Sequence, residues 1–297
     1  MSQIYLITGA STGFGALSAR ALAREGHTVF AGMYSHDGNT SKYEEEAATF
    51  AHEHNADLRT VTLDLLSQDS VDAAVKHVLD RAGRIDVVVH NAGHMNYGPA
   101  ESFTAEQYLR LYDVNVVGSH RLNMAVLPHM RRARRGHLVW IGSSSTYGGS
   151  TPYLAGYFAA KAAQDHLAQG YAAELTAWGI ETTIISPGVF TKGTNHFPDA
   201  AKPGRPEVAQ EYEDGPTKGL SERTMTGTEA LVPPGADPQV VADALVELAR
   251  LPRGEKPFRI CPDPTKIGAN VAAAVLDNNK ANMYRRMGIT EYLEVKL

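Results

Sequence analysis

Short, almost uninterrupted runs of Val, Ile and Leu alternate along this chain with longer stretches of helical period, and few folds accept that rhythm. The strand-like runs are Ile4–Ile7, Thr28–Met33, Leu58–Leu63, Ile85–His90, His137–Ile141, Ile180–Ile185 and a weaker Phe258–Ile260. Helical stretches lie between them at Gly15–Glu25, Ser41–His54, Ser67–Ala82, Ala105–Met130, Tyr153–Trp178 and Pro238–Arg250. A strand with no polar alternation has both faces buried. Strict strand–helix alternation then predicts a doubly wound parallel α/β sheet with helices on both sides, a Rossmann-type architecture. Thr104-Ala105-Glu106-Gln107 has the form of a capping box, and Asp237-Pro238 sets a cap before a first-turn proline.

The 297 residues suffice for one large domain. Neither an internal repeat nor a second core is visible, so we expect a single domain carrying two departures from the rhythm. The first is residues 189–237, rich in Gly, Pro, Thr and charge, which reads as a loop-like lid with hinges. The second is a C-terminal extension over residues 262–297.

A formal net charge of −5 argues against a nucleic-acid partner. The basic group Arg131, Arg132, Arg134 and Arg135 reads as a solvated helix end, where cations meet the negative pole of the macrodipole. The single cysteine, Cys261, has no partner for a disulfide and suits a reducing compartment. His52 and His54 lack a third ligand nearby, and no metal site is expected. No apolar run approaches a membrane span, and the first strand leads straight into a glycine turn. Together these features predict a cytoplasmic protein with no membrane partner.

That turn reads Thr8-Gly9-Ala10-Ser11-Thr12-Gly13-Phe14-Gly15, with a helix beginning inside it. Glycines there let the backbone turn tightly and approach a pyrophosphate at the helix start. Far along the chain, Tyr157-Phe158-Ala159-Ala160-Lys161 places a phenol and an ammonium one helical turn apart. A lysine cation beside the phenol would bring its proton affinity down toward neutrality and make it a general acid or base. The Thr-Gly-x-x-x-Gly-x-Gly spacing, with Tyr-x-x-x-Lys after the fifth strand, resembles the short-chain dehydrogenase/reductase family over roughly residues 3–190.

The resemblance implies an NAD(P)-dependent oxidoreductase that interconverts a carbonyl and a secondary alcohol. It implies that Thr8, Gly9, Ser11, Thr12, Gly13, Phe14 and Gly15 form the cofactor cradle. Asp64 with Leu65 would meet the adenine, Asn91-Ala92-Gly93 would support the cofactor turn, and Pro187-Gly188-Val189 would face the nicotinamide. Thr191 is the nearest hydroxyl for the carboxamide, with Thr194 a second candidate. Asn115 matches the helix asparagine that holds a relay water beside the lysine, so Tyr157 and Lys161 would serve both cofactor and catalysis. For the hydroxyl that orients the substrate oxygen, strand register favours Ser143, while counting back from Tyr157 lands on Ser144. Gly32 stands where NAD-preferring relatives carry Asp, in Ala31-Gly32-Met33-Tyr34-Ser35-His36-Asp37, and the balance leans to NADP(H) over NAD(H). In the lid, Phe190, Phe197, Tyr212, Leu220, Met225 and Leu231 would wall an apolar pocket, and Lys192, Lys202, Arg205 and Lys218 would meet a negative group. The two long helices would pair with their copies in a homodimer or homotetramer. A cofactor-binding sensor or scaffold with little turnover is the alternative to an enzyme.

Overall fold

A computed structural model describes residues 2–34 and 40–295. The first half alternates β1 (Ile4–Ile7), α1 (Gly13–Arg24), β2 (Thr28–Met33), α2 (Ser41–His54), β3 (Leu58–Thr62), α3 (Gln68–Ala82) and β4 (Val87–His90). The second half holds α4 (Ala105–Tyr112), α5 (Gly118–Ala133), β5 (Gly136–Ile141), α6 (Ala155–Leu175) and β6 (Ile180–Ile185). Beyond them come α7 (Pro206–Asp214), α8 (Leu220–Leu231), α9 (Gln239–Arg250), β7 (Arg259–Ile260) and α10 (Ala269–Met287). The seven strands pair in the order β3-β2-β1-β4-β5-β6-β7, and every pairing is parallel.

The reason for the continuous apolar runs is plain in the core. Along β1, Tyr5 and Ile7 pack into one cluster with Leu22 of α1, Phe50 of α2 and Leu245 of α9. Ile4 and Leu6 enter another cluster on the opposite sheet face, with Val75 of α3, Leu122 of α5 and Ala168 of α6. Both sets lose their hydration, so neither face of the strand can be polar. Sequence order reverses direction between β1 and β4, and in such sheets the ligand crevice lies beyond the carboxyl ends of the strands at that switch.

Three expectations about elements are corrected. Residues 105–130 do not form one helix: α4 ends at Tyr112, and a π-helical turn over Asp113–Val117 separates it from α5. The 189–237 segment is not a loop, because α7 and α8 occupy much of it. The C-terminal extension carries α10, which packs chiefly through Ala269 and Ala273. The Thr104 capping box is present with both of its hydrogen bonds. Pro238 stands at the N-cap of α9 rather than in its first turn, and the Asp237 carboxylate accepts from the Gln239 N–H at 2.8 Å. Among the described residues no helix is long and apolar enough to cross a membrane. Nor do three or more His, Cys, Asp or Glu side chains among them converge as metal ligands.

Candidate active site

Four chain segments leave the carboxyl ends of β1, β4, β5 and β6 and meet over the switch point. The first two are stitched together by polar contacts. Thr8 Oγ1 accepts from the backbone N–H groups of Asn91 (3.0 Å) and Ala92 (2.9 Å) and donates to Val89 O. Asn91 Nδ2 returns hydrogen bonds to Thr8 O (2.9 Å) and Gly9 O (3.0 Å). Thr8 therefore braces the turn from behind and does not line the cavity. Gly9 and Gly13 adopt left-handed backbone conformations with φ of +63° and +54°, which an L side chain resists. Gly15 lies under the turn, where a Cβ would come within 2.3 Å of Gly9 O. Its place is helix-to-turn packing, not the cavity wall.

The resulting cavity measures about 530 Å³. Its floor includes Gly9, Ser11, Thr12, Gly13 and Phe14, with Asp64 and Leu65 at one end and Asn91, Ala92 and Gly93 along the middle. Ser143, Ser144, Tyr157, Lys161, Pro187, Gly188 and Val189 close the other end. The cradle fits a dinucleotide on the structure's own terms. Ser11 Oγ is buried with no hydrogen-bond partner, and α1 begins at the turn with no side chain capping its first N–H groups. Such a helix start has orphan donors and positive dipole charge to offer a phosphate. Thr191 does not reach the cavity. The chain turns through Gly193 (φ +74°), and it is Thr194 that lines the cavity, beside Gly13.

Around Tyr157 the arrangement is compact. Lys161 lies one turn along α6, and its Nζ donates to Ile141 O (2.9 Å) and Gln164 Oε1 (3.0 Å). Asn115, fully buried in the π turn, donates from Nδ2 to His94 O (3.0 Å) and Leu111 O (2.9 Å). Its Oδ1 is left without a partner and points at Gly93, where a Cβ would come within 2.5 Å of it and 3.6 Å of Lys161 Nζ. Asn115 thus stands behind the cavity, not on its wall. Ser143 Oγ accepts from the N–H and hydroxyl of Ser145, at 3.2 and 2.8 Å, so its own proton points toward the Tyr157 phenol, with which it hydrogen-bonds. The neighbouring Ser144 is instead bound into the turn, its N–H donating to Pro187 O.

Burial dominates the electrostatics of the pair. Burial pushes Tyr157 up to about 12, opposed only by a hydrogen bond with Ser143. Burial also pulls Lys161 down to about 8. Desolvation is the leading cause for both groups, and the ammonium is held by Ile141 O and Gln164.

Of the lid side chains expected at the pocket, Phe190, Phe197 and Leu231 line it, whereas Tyr212, Leu220 and Met225 do not. None of Lys192, Lys202, Arg205 and Lys218 reaches it either, and Arg205 pairs with Glu207 at 3.7 Å. Two histidines that the sequence reading passed over do line it. His94 follows the Asn91-Ala92-Gly93 turn, and His196 comes from the lid, its ring edge-on to Tyr157 at 5.1 Å between centroids. Single histidines in polar surroundings carried no spacing signal.

Comparison with known proteins agrees with this geometry. A family model described as short chain dehydrogenase matches residues 3–202. The chain is 34% identical over 191 residues to a 3-ketodihydrosphingosine reductase of Bacteroides thetaiotaomicron, covering 64% of this chain and 65%, less than two thirds, of that relative. A short-chain dehydrogenase from Streptomyces avermitilis shares the fold with a TM-score of 0.73 at 24% identity, over 97% of this chain and 98% of that one. An alcohol dehydrogenase from the archaeon Thermococcus sibiricus, complexed with 5-hydroxy-NADP, superposes with a TM-score of 0.67 at 26% identity, covering 88% and 96%. Parallel sheet, glycine cradle and the family match over two thirds of the sequence lead to one conclusion: the chain belongs to the short-chain dehydrogenase family of NAD(P)-dependent oxidoreductases.

Proposed function

We propose that Tyr157 is the proton donor and acceptor in the interconversion of a carbonyl compound and a secondary alcohol. The observation that carries this reading is the meeting of Ser143, Tyr157 and Lys161 at one end of the glycine-floored cavity, with Asn115 behind them. A bound nicotinamide supplies or accepts the hydride. Ser143 donates its proton to the substrate oxygen and holds it beside the phenol. Tyr157 then passes its proton to that oxygen as negative charge develops. Lys161, near neutrality at about 8, and the unpartnered Asn115 Oδ1 provide the path by which the phenol is reprotonated. Ser144 contributes turn geometry. Replacing Tyr157 by Phe should leave the fold and cofactor binding intact while lowering kcat by ~10²–10⁴-fold. A variant that keeps half the wild-type rate in NAD(P)H oxidation with ketones and aldehydes would refute the assignment.

NADP(H) is the favoured cofactor, on a basis that differs from the sequence argument. Gly32 does not face the cavity: a Cβ there would lie 2.7 Å from Leu63 Cδ2 and 2.9 Å from Ile7 O, so no aspartate fits. The residue lining the cavity beyond β2 is Tyr34, which is uncharged, and Ser35, His36 and Asp37 lie outside the described residues. The NADP analogue bound by the Thermococcus sibiricus relative supports the preference. A lower KM for NADH than for NADPH would overturn it. Exposed apolar side chains on α4, the π turn and α5 (Leu109, Val117 and Met124) support a homodimer or homotetramer. The whole chain acts as one domain in this reading, on a small-molecule substrate in the cytoplasm.

A further inference from the structure

Two histidines on the cavity wall offer polar groups that the reaction does not use. His94 Nε2 is buried with no hydrogen-bond partner, and His196, half-buried, sets its ring edge-on to Tyr157. The rings come from independent segments, one from the turn after β4 and the other from the lid, yet both line the cavity, and His94 lies near enough to His196 to act on its charge. Burial pulls His196 down to about 4, helped by the charge of Lys161 and by His94. His94 is also pulled down by burial and by the Arg110 guanidinium. At neutral pH each is an uncharged imidazole with one donor and one acceptor. Met95, Leu154, Phe158 and Phe197 supply apolar wall on the same cavity, alongside the polar Arg110, Asn195 and Asp199. A polar atom in such a place costs free energy until something bonds it, and a site built this way rejects ligands that lack the matching group.

We infer that the substrate carries a second oxygen function, a hydroxyl or carbonyl on the carbon next to the reacting carbonyl or one carbon further. His94 and His196 hold that oxygen by hydrogen bonds, and the hydrocarbon remainder of the substrate lies against Leu154, Phe158 and Phe197. The enzyme is therefore selective for hydroxyketones, diketones or keto esters over plain ketones. This rests on the assignment of Tyr157 as the proton donor, which locates the reacting carbonyl.

The test compares phenacyl alcohol and ethyl benzoylacetate with acetophenone, a matched plain ketone, on the cofactor-loaded enzyme. Wild type should favour the oxygenated pair in kcat/KM on the order of tenfold or more. His196→Leu and His94→Leu should each collapse that ratio, and His196→Gln, which keeps a donor and an acceptor, should restore part of it. Calorimetric Kd values for phenacyl alcohol and acetophenone provide a readout independent of turnover. A binding preference that depends on His196 in an enzyme inert to all three ketones would refute the Tyr157 reaction and leave the subsite standing. A preference that survives both leucine substitutions, or its absence in wild type, would overturn the subsite.

Discussion

Arg259 offers a sharp test of what holds the catalytic helix in place. Its guanidinium, 6% exposed, reaches Asp165 Oδ2 on α6 (2.7 Å) and Asp277 Oδ2 on α10 (3.0 Å), and donates to the Tyr147 hydroxyl. Tyr147 in turn binds Asp165 Oδ2 (2.7 Å) and Ser186 Oγ (2.9 Å). One cation thus joins four segments: the turn just after Ser143, the helix one turn beyond Lys161, the end of β6 and the C-terminal helix. Consider Arg259→Met. Asp277 is 27% exposed and relaxes into water, but the Asp165 side chain, 2% exposed, stays buried with its charge. Removing one partner of a buried pair costs roughly 3–5 kcal/mol. Because Tyr147 and Gln169 still donate to Asp165, the lower end applies, about 3 kcal/mol. At ~2 °C per kcal/mol for a chain of this size, Tm should fall by roughly 6 °C. Adding Asp165→Asn removes the stranded charge, keeps an acceptor for Tyr147, and should recover at least about 1 kcal/mol of that loss. Thermal unfolding of the three variants by circular dichroism decides the matter. A single variant within about 1 °C of wild type, or a double variant no better than the single, would refute the reasoning.

Three further outcomes follow from other parts of the molecule. Burial holds His90 down to about 4 and His137 down to about 3, against an ordinary 6.5, so the unfolded chain takes up their protons first. Stability should be flat above pH 6.5 and fall as pH drops through 6.5 toward 4, by up to roughly 1.4 kcal/mol per pH unit for each histidine; denaturant midpoints that do not change on making His90→Gln and His137→Gln together would refute this. Gly93→Ala drives a Cβ against Asn115 Oδ1 and should cut kcat by tenfold or more with a smaller change in cofactor Kd; a normal kcat would show that Asn115 can move freely. Light scattering at micromolar concentration should report a dimer or tetramer, and a lone monomer would refute pairing through Leu109, Val117 and Met124.

The parts of the fold that could be read from the residues are those where burial leaves its mark on composition. β5 is buried at all six positions and is apolar through Leu138, Val139, Trp140 and Ile141. By contrast β7 has two half-buried residues, and its run was correspondingly weak. The helices of the lid went unseen because they bury so little. Val208 alone is buried on α7 and Thr228 alone on α8, so no helical stripe forms. Pro206 followed by Glu207 was a usable start signal for α7 all the same. At the site, Tyr157, Lys161 and the glycines were legible because their chemistry demands fixed spacings. His94 and His196 were not, since contacts made across the fold impose no interval along the chain, and Thr194 could be named only as second to Thr191. Ser143 and Ser144 could not be separated by counting, because both reach the cavity and only their turn contacts differ.

The π turn at Asp113–Val117 has a bearing on how this chain can change length. Such a turn is an α-helix with one residue too many, and the surplus is what swings Asn115 inward to bond Leu111 O and His94 O. Deleting any single residue between 113 and 117 would let α4 and α5 fuse into one regular helix. Five residues in the wider turn sweep about the same angle as four in an α-helix, so α5 would keep its phase against the sheet. Leu122 and Val126 would stay in the core under β4 and β5, while Asn115 would lose the turn that aims it at Gly93. A one-codon loss there would spare the core and take away the amide behind Gly93, so shortening this stretch should cost the site more than the fold.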